Sequence, residues 1–486
     1  MDESGRGAAP LRFTRQELIT PDQAARVHEQ AKRILQEAGL EVHHAQVLQR
    51  LQAEGFRVSG ERVFFEPAVV DGFVEQMRQW IHPHPDPLPG REREADPRPD
   101  EGRLTLSVST YSLYVHDVET DRVVPYTADS LIEMTKLVDS LADEGVHGAP
   151  PGIPRDEHPD LQPVAQYRIA ALYARQGATP VDPTSARTVN YVLDMAEVMG
   201  RPIQGLPVYL PSPLRLGGES LDVVLACLDR LSRVWVSSMP SAGATAPLQP
   251  FGALALAAAE LMGGAVAVHL VTGKPAFFSV GIFPFDLRAG AMVFGSPENM
   301  LFQMLCSDYN RFYGWPWEPS FGNIHVMSKM PDVQSGADKA AIMALGAFLG
   351  ARHFGSAGTL SLDDIFSPVQ LLADCEIRDW VQRAVQGVWL DEEAVDDWAA
   401  EVQSGIRQGF MMLDSTLDHY KRHVWYPRHW ERRGGGPWLA EGQPRLADRL
   451  REEVRRRIAA HEFELDADRR REIERIYQAA REAVNG

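Results

Sequence analysis

Short apolar runs with the period of a β-strand alternate with longer runs of helical period through the middle of the chain. The strand-like runs cover residues 104–115, 146–149, 179–182, 206–210, 234–238, 276–280, 311–317 and 353–357. The helix-like runs that follow them lie near residues 128–141, 160–175, 185–199, 221–231, 250–271, 298–310, 337–350 and 367–388. Strict alternation favours an α/β fold of the (β/α)8 TIM-barrel type, because each parallel crossover uses a helix. A doubly wound open sheet is the alternative, but no Gly-x-Gly-x-x-Gly follows the first strand.

The two ends of the chain have a helical pattern instead. Residues 1–82 are predicted to form a helical N-terminal unit, in which a helix begins after Thr20 and ends near Gly39. Residues 83–103 are rich in proline and charge and indicate a connector. The barrel is then predicted over 104–390, and a helical C-terminal extension over 391–486.

Charge and cysteine content exclude several classes of protein. The 486 residues carry a formal net charge of -18, without a basic tract dense enough to bind nucleic acid. The three cysteines are far apart, which argues against a disulfide framework or a thiolate metal site. The apolar run 251–271 contains Glu260 and His269, so a buried helix is favoured over a membrane span. With no signal-peptide pattern at the first residues, we expect a cytosolic soluble protein.

An aromatic cluster is the most prominent chemical feature. Four rings fall within six residues, at Phe312, Tyr313, Trp315 and Trp317, and Glu318 follows directly. Rings around a cavity suit a quaternary ammonium, which cation–π attraction holds by roughly 0.5–2 kcal/mol per ring. Core packing is the alternative for each ring.

Further candidate residues lie just beyond this cluster and in the other loops that follow strands. His325 and Lys329 are candidates for binding a substrate carboxylate. The remaining loops supply Tyr111, Tyr114 and the segments 150–156, 182–185, 211–216, 238–247, 281–286 and 355–360. These loops are rich in Gly, Pro, Ser and aromatic residues and poor in charge, so no acid or base is assigned as a catalyst.

Several long segments resemble the trimethylamine methyltransferase superfamily, in the branch that lacks pyrrolysine and includes the glycine betaine methyltransferases. The resemblance is carried, in order, by segments 27–42, 116–131, 238–264, 294–301, 312–340 and 371–395, and covers nearly the whole chain. It departs from the family pattern at 409–430, reading GFMMLDSTLDHYKRHVWYPRHW, and after the last strand, which leaves the particular substrate open.

The resemblance implies a TIM barrel that moves a methyl group from a methylated amine to the Co(I) of a corrinoid. That corrinoid would be carried by a cognate corrinoid-binding protein, with no cofactor held tightly by this chain, and a homo-oligomer is expected. Between Phe321 and Lys329, where the trimethylamine enzymes are expected to place pyrrolysine, stand ordinary residues. A quaternary, betaine-like amine is therefore favoured over trimethylamine.

Such a substrate already carries a neutral amine as its leaving group, so the protein's task is to position the methyl group and exclude water. His419 and His423 have the i, i+4 spacing of metal ligands but lack a third partner, so no metal is predicted. Two rival functions remain: another TIM-barrel lyase or hydrolase acting on a small cation, and a non-catalytic betaine-binding protein.

Overall fold

Residues 11–81, 102–176, 182–316, 322–390 and 397–485 are described by the computed structural model of this protein. The first range contains α1 (Pro21–Glu37), β1 (Leu40–Val42), α2 (Ala45–Ala53), β2 (Arg57–Ser59), β3 (Arg62–Phe64) and α3 (Pro67–Ile81).

The middle of the chain alternates strands and helices. In order these are β4 (Thr105–Val108), β5 (Tyr114–Asp117), β6 (Arg122–Pro125), α4 (Ala128–Ser140), β7 (Val146–His147), α5 (Gln162–Tyr173), α6 (Val189–Val198), β8 (Gly205–Leu210), β9 (Arg215–Leu216), α7 (Glu219–Ala226), β10 (Arg233–Ser238), β11 (Ser241–Ala242), α8 (Pro250–Thr272), β12 (Ala276–Phe278), β13 (Phe283–Asp286), β14 (Ala291–Met292), α9 (Pro297–Asn310), α10 (Val333–Phe348), β15 (His353–Ala357), β16 (Thr359–Leu360), β17 (Ile365–Phe366) and α11 (Pro368–Val385). The end of the chain is helical, with α12 (Trp398–Gln408), α13 (Asp414–His423), α14 (Gly435–Ala440), α15 (Leu446–Ala459) and α16 (Ala467–Asn485). The predicted mixture of helices and strands is confirmed.

Two parallel sheets form the centre of the middle segment. One has the strand order β12-β10-β8, and the other has the order β15-β4-β7. The second sheet pairs the last long strand of the segment with its first. An isolated parallel bridge joins Asn323 to Gly355, so the chain runs alongside β15 just before α10 begins.

The N-terminal helices share one hydrophobic core with the first of these sheets. Helix α1 packs on α8, and the buried side chains of both join the inward face of β8 and β10. Strand β1 also pairs in parallel with β9, directly after β8. The N-terminal unit therefore packs on the core side of the sheet β12-β10-β8.

A second core lies between the sheet β15-β4-β7 and helices α4, α10 and α11, with α15 of the C-terminal extension packed on it. Helix α16 closes a third cluster against α5 and α6. Arg168 makes two bonds to Glu474 that fix this contact.

Local sequence signals set where the helices begin. Thr20, Thr127 and Asp332 each accept a backbone N–H at the third position of the following helix and complete a capping box. Asp332 is thus a capping residue, as its position before a helical run predicts. The cysteines are free and buried, as expected.

Helix α8 is apolar on all sides, and most of it is buried. It is long and apolar enough to cross a membrane by length and composition, and 78% of its most apolar window is buried inside the protein. Its one carboxylate, Glu260, is fully buried and accepts bonds from the Ser212 hydroxyl at 2.6 Å and the Leu214 backbone N–H at 3.0 Å. Burial raises the pKa of Glu260 above its ordinary value.

One predicted strand is wrong. Residues Arg311–Tyr313 form a 3-10 turn that continues α9, and Gly314 then adopts a left-handed conformation with a φ of 93°. The extended backbone next to β15 occurs later, at Asn323. The predicted strand at 179–182 lies, except for Asp182, outside the described residues.

Candidate active site

One face of the sheet β12-β10-β8 packs on the core with α1 and α8, and the opposite face carries aromatic rings. Aliphatic residues at alternate positions of β8 and β10 point into the core, which leaves Tyr209 and Trp235 on the opposite face, 45% and 39% exposed. Trp235 contacts Phe277 of the neighbouring strand, with ring centroids 5.3 Å apart. It also stacks on Trp315, with centroids 5.6 Å apart and ring planes inclined by 24°. Three adjacent chain segments therefore present one continuous aromatic surface.

A carboxylate lies at the edge of this surface. The Tyr111 hydroxyl donates to Asp182 Oδ2 at 2.5 Å, and the Tyr209 hydroxyl donates to the same oxygen. Burial, followed by the negative charge of Asp182, raises the pKa of both phenols. Both phenols therefore stay neutral and act as hydrogen-bond donors to Asp182.

These residues line a cavity of about 560 Å³. Its wall consists of Tyr111, Tyr167, Asp182, Arg201, Pro202, Ile203, Gln204, Gly205, Pro207, Tyr209, Arg233 and Trp235. A volume of this order is in the range of small-ligand sites. Aromatic faces and one carboxylate at one end provide the environment that attracts a cation too large and apolar to be hydrogen-bonded.

Within the aromatic cluster at 312–317, Trp315 is the one described ring that reaches this surface. Its indole N–H donates to the Phe278 carbonyl at 2.8 Å, which fixes the ring against Trp235. Trp317 and Glu318, which follow Trp315, lie outside the described residues.

The other two predicted rings face the N-terminal unit. Tyr313 is fully buried, and its hydroxyl lies 2.9 Å from the Tyr309 hydroxyl and 3.3 Å from His28 Nδ1. Phe312 is half-buried between His28, 5.0 Å away, and the Arg78 guanidinium, 5.2 Å above its ring. Both rings thus pack behind the sheet rather than on its cavity side.

His325 and Lys329 lie outside the lining of the cavity. His325 Nε2 contacts the Ser356 hydroxyl at 2.7 Å and Asp363 Oδ1 at 2.8 Å, so this imidazole already has a carboxylate partner. Lys329 donates to the carbonyl of Met327 at 2.9 Å within its own exposed turn.

The group of potential metal ligands found within the described ranges is Glu41, His43 and Glu61, on the N-terminal sheet. The imidazole contacts one carboxylate at 2.7 Å and the other at 3.1 Å, which is the geometry of ordinary ion pairs. His419 and His423 do not take part in such a group, and the prediction that no metal is bound stays a prediction.

Sequence reasoning missed Tyr209, Trp235 and Asp182 as a set. Tyr111 and the segment 182–185 stand among the predicted loops that follow strands, but nothing in the sequence joins them to Tyr209. The available signal was alternation, because GLPVYL and RVWVSS place an aromatic ring on the face opposite their aliphatic side chains.

The arrangement defines a class: an α/β protein with a cavity of small-molecule size, lined by aromatic rings and one carboxylate. The sequence model of the trimethylamine methyltransferase (MTTB) family matches residues 8–486. The chain belongs to this family, which confirms the resemblance seen in the sequence.

Individual relatives are distant. A trimethylamine methyltransferase MttB of Methanosarcina barkeri is 29% identical over 298 residues, which are 60% of this chain and 59% of the relative. A glycine betaine methyltransferase of Desulfitobacterium hafniense (strain Y51) is 23% identical over 440 residues, which are 87% of this chain and 88% of the relative. Among solved structures, the hydroxylamine complex of MtmB aligns with a TM-score of 0.43 at 10% identity over 93% of this chain and 91% of that one.

Proposed function

We propose that this protein transfers a methyl group from a quaternary, betaine-like amine to the Co(I) corrinoid of a partner protein. The observation that supports this proposal is the cavity lined by Tyr111, Tyr209 and Trp235, in which both phenols donate to the Asp182 carboxylate. Family membership supplies the reaction class, and the long alignment with a glycine betaine methyltransferase supports a quaternary substrate.

The residues of the cavity fit a substrate that needs no acid or base. Two neutral phenols and an indole present π faces, and one carboxylate offsets the permanent positive charge. The leaving group is a neutral tertiary amine, so no proton has to reach nitrogen. The protein contributes binding, orientation of one N-methyl group and exclusion of water.

The corrinoid enters this scheme as a second substrate on its carrier. The cavity has the size of a site for one small ligand, so it would hold the methylated amine while the acceptor stays on its carrier. When present, the reduced corrinoid supplies the metal nucleophile that takes the methyl group.

The residues predicted from the sequence then fall into three groups, with roles in binding, in packing, or outside the site. We propose that Trp315 belongs to the ring cage through its stack on Trp235, and that Phe312 and Tyr313 serve packing. His325 and Lys329 have local partners and are not needed for the cation. Binding roles for Trp317 and Glu318 stay predictions.

The same proposal includes a closed (β/α)8 barrel. Parallel pairing of the last long strand, β15, with the first, β4, is what closure requires, and the bridge from Asn323 to Gly355 continues the order. In a closed barrel, the face of β8, β10 and β12 that carries Tyr209, Trp235 and Phe277 lies towards the barrel interior. Assembly as a homo-oligomer, the cytosolic location and the division at 82, 103 and 390 also stay predictions.

The test is an assay of methyl transfer from a panel of trimethylammonium compounds to the partner's corrinoid held as Co(I). The proposal expects demethylation that depends on the carrier and leaves the donor as its tertiary dimethylamino derivative. Turnover without any corrinoid would favour a lyase or hydrolase. Ligand-dependent thermal stabilisation without methyl transfer would instead show a binding protein.

A further inference from the structure

Two arginines line the end of the cavity away from Asp182. Arg233 is the first residue of β10, and its side chain crosses Gly205 of the neighbouring strand. A Cβ atom at Gly205 would lie 3.0 Å from Arg233 Cγ and 3.4 Å from Nε, so this glycine leaves the room that the arginine occupies. Arg201 lines the same end from the turn that precedes β8.

Neither arginine has an ion-pair partner in the part of the chain that the structure describes. Among residues 11–81, 102–176, 182–316, 322–390 and 397–485, no carboxylate forms an ion pair with Arg201 or Arg233. The carboxylate of Asp182 is engaged by the two phenols at the other end. The cavity therefore has a cation-attracting end and an anion-attracting end.

The strand register sets the distance between these two ends. In the parallel pair β8–β10, Gly205 lies opposite Arg233 and Tyr209 lies opposite Ser237. Tyr209 is thus four residues along the strands from Arg233, or about 13 Å at the usual rise per residue. Trp235 lies between them, about 7 Å from each level.

We infer that the substrate is a zwitterion whose trimethylammonium and carboxylate groups are separated by a spacer of about three or more carbons. This inference rests on the proposed function and names the substrate class of that site. The ammonium lies among Tyr111, Tyr209 and Trp235, and the carboxylate is bound by Arg233 and Arg201.

A longer spacer between the ammonium and the carboxylate covers more of the distance between the two ends of the cavity. Bonds of about 1.5 Å place the ammonium nitrogen and the carboxylate carbon of a one-carbon betaine about 2.5 Å apart. Three intervening carbons extend this separation to about 5 Å. The arginine side chains close the remaining gap, because each guanidinium extends several ångströms from its backbone.

The test compares three methyl donors with the intact enzyme and its corrinoid carrier. These are 4-(trimethylammonio)butanoate, (trimethylammonio)acetate and (3-hydroxypropyl)trimethylammonium, which lacks a carboxylate. We expect kcat/KM for the butanoate to exceed that for the other two by about tenfold or more, since hydrogen bonds from a guanidinium to a carboxylate contribute about that much. Arg233→Ala and Arg201→Ala should each reduce this preference towards one, mainly through KM.

Arg407→Ala, at an exposed position of α12 remote from the cavity, is the matched control and should keep the preference. Thermal midpoints of all variants report whether they are folded, and binding of the butanoate by calorimetry gives a second measure. Transfer from the acetate as efficient as from the butanoate, or a preference that survives both arginine substitutions, would overturn the inference and leave the proposed function intact. Absence of transfer from all three donors would overturn the proposed function itself.

Discussion

At the scale of single residues, the site depends on what surrounds each ring rather than on which residues are aromatic. Tyr313 and Tyr209 are both tyrosines in an aromatic neighbourhood, yet Tyr313 is fully buried against His28 whereas Tyr209 shares Asp182 with Tyr111. The sequence shows that rings are present at 312–317 but not which of them turns towards a cavity. That choice is made by contacts with His28, which is 285 positions away from Tyr313.

Trp235 provides the sharpest test of the cage. Replacing it with alanine removes one π face from the cation, at a cost of about 0.5–2 kcal/mol, or roughly a 2- to 30-fold rise in KM for a trimethylammonium donor. Steady-state methyl-transfer kinetics measure this change. Trp380→Ala is the control, because Trp380 on α11 is 42% exposed and lies away from the cavity. Equal kinetics for both variants would remove Trp235 from the site.

Glu260 should give the protein a measurable pH dependence of stability. Its native pKa is raised by burial, so between the ordinary carboxyl pKa and that raised value the native state binds more protons than the unfolded state. The free energy of unfolding contributed by this group therefore falls as pH rises through that window. In Glu260→Gln this fall should be absent, which chemical denaturation at steps from about pH 4 to pH 8 would show.

Glu133→Gln, an exposed change on α4, is the control for that experiment and should leave the pH profile as in the wild type. An unaltered profile in Glu260→Gln would mean that Glu260 carries no raised pKa. The comparison uses the shape of the profile, because the amide also changes the bond to the Leu214 N–H.

At the scale of elements, alternation in the sequence predicts most of the structure. The predicted strand at 353–357 is observed as β15, and the predicted helix at 250–271 is observed as α8, one residue longer. The prediction fails at 311–317, because aromatic side chains and prolines resemble a strand while the 3-10 turn continues from α9 and ends at Gly314. Alternation of side chains indicates which face of a segment is apolar, but it does not show whether a neighbouring strand is present to form backbone hydrogen bonds.

Close packing of α8 on β8 predicts that alanine has opposite effects on stability at two helical glycines, Gly264 and Gly336. A Cβ at Gly264 would lie 2.4 Å from Leu210 Cδ2 and 3.3 Å from Cγ, inside a core where Leu210 is 3% exposed. Gly264→Ala should therefore lower the free energy of unfolding by about 1–3 kcal/mol. Chemical denaturation measures the change.

Gly336, in the first turns of α10, is the matched control. A Cβ there meets nothing within 4 Å, so Gly336→Ala should raise stability by about 0.5–1 kcal/mol through helix propensity. If both alanines stabilise the protein, Gly264 does not pack closely on Leu210.

At the scale of the whole molecule, the proposed function depends on residues that lie far apart in the sequence. Tyr111, Asp182, Tyr209 and Trp235 come from four segments, and the N-terminal unit braces the sheet that carries two of them. Family resemblance could be predicted from long ordered segments of sequence, and the family match confirms it. The cavity could not be predicted, because the meeting of Tyr111 with Asp182 spans 71 positions and depends on how the strands are arranged.

The most direct measurement is a crystal structure of the protein with a bound trimethylammonium substrate. The ammonium nitrogen is predicted within about 6 Å of the ring centroids of Tyr209 and Trp235, beside Asp182. A nitrogen found instead beside Trp317 and His325, or at any position outside this cavity, would contradict the account.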